Sequence, residues 1–362
     1  MNQKLNLLQV YRGIAALLVV LSHSNQILSH ELQQDKLLQI FHFGWIGVDF
    51  FFVLSGFIIF YIHQSDVGKP DKFKSFVFKR FIRVYPLYWF ILTTKIIVSL
   101  FNPEKNNIFQ RSADEIIKAV FLLPQDRSIL DTTFIGVSWT LNYEVFFYCI
   151  FSLLILINIK ICQPIILAWI VGIIFNLFNL LPIGDNFLLN FIFDQHNLEF
   201  LLGCLAAYTI SKYRFKFATS LIYGSIFLLV ISVINTKYKE YDVSGIPPLV
   251  AYGIPFTLLI IGSVYLELSK TINIPQILIY IGNASYSIYL AHGFLLKTTG
   301  KIFTKIIDKL NLLHLIQSQI IYSNALACLI VVIAVFIGCL IHSYIEKPLI
   351  TNLRKTVFTN MT

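Results

Sequence analysis

The sequence predicts an all-α fold: a polytopic transmembrane helical bundle of about ten spans, one domain over residues 1–362 with no soluble domain attached. Three observations predict it. Of the 362 residues, 57% are hydrophobic and 13% charged, with a mean hydropathy of +0.73, whereas soluble domains carry about 25% charged residues. Apolar runs of about 20 residues, enough to cross the hydrocarbon core as helices, recur along the chain. The basic residues behind the net charge of +9 sit mainly beside those runs, which fits the positive-inside rule better than a nucleic-acid-binding face. The expected partner is therefore the lipid bilayer, with no nucleic acid.

The first span, residues 8–28, is the most informative. It carries Arg12 and His23 inside an otherwise apolar run. Charged groups at such positions cost roughly 2.5–3.5 kcal/mol even on lenient insertion scales, so they usually face a protein interior or a wet cavity. Eleven residues at about 100° each bring His23 to within about 20° of Arg12, on the same helix face about 16 Å further along. Snorkelling to opposite interfaces would account for either residue alone. It accounts less well for the pair, because other polar residues fall at matching depths.

The remaining spans run at 43–62, 81–101, 134–157, 161–181, 187–210, 217–235, 248–267, 276–297 and 322–344. The gap after the second, KPDKFKSFVFKRFIR, is the most basic and belongs on the cytoplasmic side. With an even number of spans, both termini are then cytoplasmic, in a multi-pass protein of the inner or plasma membrane. Between residues 102 and 133 an interfacial helix is expected around 113–123. Lys297 at the end of the ninth span and Lys301, Lys305 and Lys309 in the loop 298–319 follow a stride of four, which would make one basic helix face on the supposed outer side. The five cysteines, Cys149, Cys162, Cys204, Cys328 and Cys339, lie in or beside spans without metal-ligand spacing. They are assigned to packing, and no metal is expected. The first apolar run is too long for a cleavable signal peptide and is expected to remain as a span.

Depth then sorts the polar residues. His23, Asp49, Glu144 and His292 fall in the outer half of their spans, with His196 and Glu199 near mid-depth, where a structural role is the simpler reading. Arg12, Arg80 and Arg83 fall near the inner mouth. Several guanidiniums suit a polyanionic ligand such as a phosphorylated cofactor, because their fork matches phosphate oxygens. A neutral buried imidazole suits a general base, and a nearby carboxylate can fix its tautomer. Each has a plainer reading: Arg80 and Arg83 with Lys79 as topological anchors, Asp49 as a cap near a helix start, Glu144 facing water after Trp139. His30, His42, His63, His314 and His342 fall near interfaces or loops and carry little signal. Composition and depth alone support a membrane enzyme or a transporter.

The motifs go further. Arg12 and His23 resemble an Arg-ten residues-His signature. Gly44-Trp45-Ile46-Gly47-Val48-Asp49-Phe50-Phe51-Phe52-Val53-Leu54-Ser55-Gly56-Phe57 resembles G-x-x-G-V-D-x-F-F-V-L-S-G-F. Arg80-Phe81-Ile82-Arg83 before Tyr85-Pro86 resembles R-x-x-R-x-x-P, and Trp139 to Glu144 resembles W-S-L-x-x-E-E. Ser285 to His292 resembles S-Y-x-x-Y-L-x-H, and Glu346-Lys347-Pro348 resembles E-x-P. Six motifs in order over nearly the whole chain are similar to those of the acyltransferase 3 family, integral membrane enzymes that O-acylate carbohydrates of the cell envelope. One departure is that Glu144 is followed by Val145, so the second acid of the family pattern is missing. The esterase-like C-terminal domain of some members is also absent from the residues at hand.

The resemblance implies an acyl group, most simply acetyl, moving from cytoplasmic acetyl-CoA or another acyl-CoA to a hydroxyl of a cell-surface or exported glycan. Under it Arg12, Arg80 and Arg83 hold the donor phosphates. His23 acts as general base or acyl carrier with Glu144 beside it. Asp49, Tyr286, Tyr289 and His292 line the acceptor side or serve structure. A homo-oligomer or polysaccharide-assembly partners are compatible with it. The competing class is a glycan-precursor transporter or flippase with a polar intramembrane path, for which inverted repeats or matched broken helices would speak; neither is evident. An inactive assembly partner is a third reading, against which the intact Arg12 and His23 argue.

Overall fold

Each apolar run becomes a helix because, in a bilayer, only a helix satisfies every backbone N–H and C=O within its own segment. The computed structural model describes residues 5–34, 37–100, 108–213, 217–236 and 246–358. Helix α1 (Asn6–Leu32) is followed by a 3₁₀ segment (Gln39–Ile46) that runs into α2 (Gly47–His63), and then by α3 (Phe73–Leu100). Two short helices follow, α4 (Ala113–Phe121) and α5 (Arg127–Thr133), then α6 (Ser138–Leu156), α7 (Ile159–Leu177), α8 (Phe187–Ile192), α9 (His196–Lys212) and α10 (Ala218–Asn235). A π-turn (Leu249–Gly253) leads into α11 (Ile254–Ser269), followed by α12 (Gln276–Lys309), α13 (Leu313–Ser318) and α14 (Ile320–Ile341). A second π-turn (His342–Glu346) joins α14 to α15 (Lys347–Phe358). Among the described residues there is no β-strand, so the all-α polytopic bundle holds.

Eight helical segments among the described residues are long and apolar enough to cross a membrane. The expected sixth and ninth spans do not meet that standard. α9, only 17 residues long, carries His196, Asn197 and Glu199 at its start. α12 reaches 34 residues but interleaves Asn283, Ser285, Ser287 and His292 with its apolar positions. At about 1.5 Å per residue α12 is about 51 Å long, well beyond the hydrocarbon core. It continues through the first half of the expected loop 298–319, with Lys297, Lys301, Lys305 and Lys309 exposed on one helix. The helix expected around 113–123 is α4, opened by a reciprocal capping box between Ser112 and Glu115; that loop's first residues, 102–107, lie outside the described residues.

Two helix pairs frame the interior. α1 and α12 run parallel in close contact: a Cβ on Gly282 would come within 1.9 Å of the Gln9 carbonyl oxygen, and one on Gly300 within 3.0 Å of Leu28. α2 and α9 approach as closely, since a Cβ on Gly56 would stand 1.9 Å from the Phe200 carbonyl oxygen. Small residues let backbones meet where the hydrophobic effect offers helices no driving force. α2 is buried nearly all round. Phe52 and Ile59 join the larger core with α1, α3, α6, α12 and α14, while Phe50, Val53 and Phe57 join a second core with α9 and α11. α7 and α10 instead expose Ile161, Ile165, Leu167, Phe227, Val230 and Ile234, an apolar surface suited to lipid rather than water.

Candidate active site

α1, α2, α3, α6 and α12 enclose a cavity of about 310 Å³ lined by Arg12, Arg80, Arg83, Glu144, Tyr286 and Tyr289, together with Gln9, Ser55, Tyr148 and Ser285. Six of the residues singled out in the sequence therefore share one chamber. α3 starts at Phe73 rather than at residue 81, so Arg80 and Arg83 lie about two turns and three turns into it. Pro86, one turn beyond Arg83, cannot donate to the Ile82 carbonyl.

Each polar wall residue is held by a neighbour. Arg12 Nη1 donates to Gln9 Oε1 at 3.0 Å, one turn back on α1. Arg83 Nη1 donates to Glu346 Oε1 at 2.5 Å, and its guanidinium lies 4.9 Å from the centre of the Tyr286 ring. Glu346, 1% exposed, also accepts from Ser287 Oγ and His342 Nδ1, each at 2.7 Å. The π-turn carries both His342 and Glu346, a distortion that often marks functional sites. Glu144 accepts from the Tyr148 hydroxyl and, at 3.3 Å, from Ser55 Oγ. It lines the chamber with Arg12, Arg80 and Arg83. Glu144 thus belongs with the arginines, not at the level of His23 as depth along the sequence suggested. The Tyr286 and Tyr289 hydroxyls are engaged internally, with the Val84 carbonyl at 2.8 Å and Thr140 Oγ1 at 3.0 Å.

His23 and His292 meet each other outside that lining, ring centres 5.0 Å apart. Tyr289 connects the two places, since its ring borders the chamber and lies 5.8 Å from His292. His23 Nδ1 stands 3.0 Å from the Val19 carbonyl oxygen and His292 Nδ1 2.5 Å from that of Tyr289. A carbonyl only accepts, so Nδ1 bears a proton in both rings, and the neutral form of each has its lone pair at Nε2. The His292 Nε2 is buried without a hydrogen-bond partner. Asp49 is elsewhere, on the other side of α2, beside Glu199 of α9. These carboxylates are 1% and 0% exposed and face each other, so a hydrogen bond between them needs a proton on one of the two.

Among the described residues no group of three or more His, Cys, Asp or Glu side chains could hold a metal ion. Two functional neighbours escaped the sequence reading. Glu346 stood in the E-x-P motif without a role, and His63, set aside as an interface residue, is hydrogen-bonded to Arg80 at 2.9 Å. Only the spacing of His63 and Asp66, three residues apart, could have hinted at the latter.

A helical membrane bundle with a cationic chamber beside a pair of buried imidazoles has the build of a membrane-embedded group-transfer enzyme. The chain belongs to the Acyl_transf_3 acyltransferase domain family, whose family model matches residues 6–344, and it is a membrane O-acyltransferase. It is 26% identical to the exopolysaccharide production protein ExoZ of Rhizobium meliloti (strain 1021) over 278 residues, 72% of this chain and 79% of the relative. It is 23% identical to the acyltransferase MdmB of Streptomyces mycarofaciens over 366 residues, 93% of this chain and 89% of the relative. The putative acetyltransferase ORF330 of Acidianus two-tailed virus is also 23% identical, over 80% of this chain and 83% of the relative. No solved structure is a significant match.

Proposed function

We propose that this enzyme moves an acyl group, most simply acetyl, from cytoplasmic acyl-CoA to a hydroxyl of a cell-surface or exported glycan. The observation that carries the reading is the chamber that gathers Arg12, Arg80 and Arg83 next to the His23–His292 pair. Three guanidiniums offer forked donors to the phosphates of CoA, and the thioester then reaches past Tyr289 toward His23. His23, with Nε2 free of its Nδ1–H···O=C bond to Val19, takes the proton from the acceptor hydroxyl as that oxygen attacks the thioester carbon. The carbon–sulfur bond breaks, and the thiolate leaving with CoA receives the proton back. His292 Nε2 offers a second acceptor for a sugar hydroxyl. A glycan acceptor agrees with the exopolysaccharide role in the name of ExoZ.

In this reading the arginine side faces the cytoplasm, both termini are cytoplasmic and the protein sits in the inner membrane, with the basic stretch between α2 and α3 as the anchor. The test is mass analysis of envelope glycans with and without the gene. Loss of one acetyl or larger acyl mass per repeat on deletion, restored by the wild-type chain, is expected. Identical glycans in both strains would overturn the acceptor class.

A further inference from the structure

We propose that His63 and Asp66 are positioning residues that aim Arg80 at the donor phosphates, an inference that rests on the donor role of the arginine chamber. Arg80 Nη2 lies 2.9 Å from His63 Nε2, and His63 Nδ1 lies 2.7 Å from Asp66 Oδ2. A guanidinium can only donate. His63 therefore accepts at Nε2 through its lone pair, and the ring proton sits on Nδ1, where Asp66 holds it. The order carboxylate, imidazole, guanidinium turns a flexible arginine into a fixed one.

The surroundings make the arrangement rigid. His63 is 3% exposed, and its ring meets Phe76 edge-on at 5.1 Å. The Arg80 guanidinium lies over both Phe76 and Tyr148, at 5.5 and 5.7 Å from the ring centres, and Tyr148 is the residue bonded to Glu144. With Nη2 engaged by His63, Arg80 lines the chamber while its Nε is buried without an acceptor, so the fork is only partly used within the protein. Arg83 is held differently, by a direct bond to a buried carboxylate. The imidazole between Arg80 and Asp66 fixes direction without neutralising the guanidinium at contact distance, so Arg80 keeps more of its charge for a ligand.

The experiment uses the full-length protein in lipid nanodiscs and steady-state kinetics with acetyl-CoA and with acetyl-pantetheine, which lacks the nucleotide phosphates. His63→Phe keeps the ring packed on Phe76 and removes both hydrogen bonds. Its KM for acetyl-CoA should rise roughly tenfold with kcat within about twofold, and its KM for acetyl-pantetheine should not move. His63→Gln, which can still accept from Arg80, should recover part of the loss. In an Arg80→Ala background His63→Phe should add nothing, whereas a merely structural role would add its own penalty. If Arg80→Ala raises the acetyl-CoA KM but His63→Phe does not, the positioning inference is overturned and the donor chamber stands. If Arg80→Ala itself leaves KM unchanged, both fall. Should His63→Phe fail to fold, Asp66→Ala, at a 23% exposed side chain, decides: about a threefold rise in KM is expected, and an unchanged KM overturns the inference.

Discussion

Arg83 and Glu346, 263 residues apart in sequence, meet at 2.5 Å and join the third helix to the C-terminal π-turn. Because Glu346 is nearly fully buried, it stabilises Arg83 and also depends on it. Removing one partner of a buried pair leaves an uncompensated charge, at a cost of 3–5 kcal/mol for full burial; Arg83 is 29% exposed, so about 3 kcal/mol or less is expected for Glu346→Ala. Glu346→Gln keeps the contacts to Ser287 and His342 while loosening Arg83. It should fold with a small loss of Tm and a several-fold weaker acetyl-CoA affinity. Calorimetry in nanodiscs checks both, and unchanged affinity with normal Tm would separate Glu346 from the donor site.

The arginines make a second prediction. Arg12→Ala, Arg80→Ala and Arg83→Ala should each weaken acetyl-CoA binding by about tenfold or more, and the Lys variants should recover charge but only part of the affinity, because an ammonium cannot form the fork. Equilibrium binding to purified protein is the measurement. Full recovery by Lys at all three positions would mean that they supply potential rather than geometry.

The helix contacts predict their own failures. At Gly282 and Gly56 an added Cβ would stand 1.9 Å from a backbone carbonyl oxygen, which cannot give way as a flexible side chain could. Gly282→Ala should separate α1 from α12, and Gly56→Ala should separate α2 from α9. Both should lower the yield of monodisperse protein, whereas Gly224→Ala, with nothing within 4 Å, should not. Size-exclusion profiles after detergent extraction test this.

How far the sequence could be read depended on the distance over which each signal acts. Helices were legible because hydropathy is local; so were Arg12 and His23, whose shared helix face follows from helical geometry. Residues Arg80, Arg83, Tyr286 and Tyr289 could be nominated by motif, but the chamber they share with Arg12 is a product of five helices meeting. Glu144 was misjudged in depth because its level was counted from an assumed span edge, while α6 sets it against the arginines. Eight of the ten expected spans are helices long and apolar enough to cross a membrane; α9 has only 17 residues, and α12 interleaves buried polar residues such as Ser285, Ser287 and His292 with its apolar positions. His63 had only its spacing to Asp66 to signal it, because its partner Arg80 lies 17 residues away on another helix.

Asp49 and Glu199 offer a prediction that separates structure from catalysis. Two buried carboxylates that face each other can bond only through a shared proton, and an amide in place of one supplies that donor without it. Asp49→Asn or Glu199→Gln singly provides an amide N–H to the facing acid at nearly the same volume. Each should therefore fold with unchanged or raised Tm and keep acyl transfer. Loss of activity in a well-folded single amide variant would instead assign the pair to the reaction.

The sharpest test falls on His23. Its Nδ1–H is bound to the Val19 carbonyl, which fixes the tautomer and turns Nε2 outward, within ring contact of His292. With Nδ1–H so engaged, Nε2 of the neutral ring is the atom that would take the proton of a sugar hydroxyl. His23→Ala and His23→Gln should both abolish acyl transfer, by at least about a hundredfold in kcat, while acetyl-CoA binding at the arginines and membrane insertion remain. Gln discriminates between the roles: it can still donate to the Val19 carbonyl but cannot accept and hold a proton. If His23 serves only to bridge helices, the Gln variant keeps most of its activity. In that case the base must be sought at His292, whose Nε2 is unpartnered, and then at Glu144 across Tyr289.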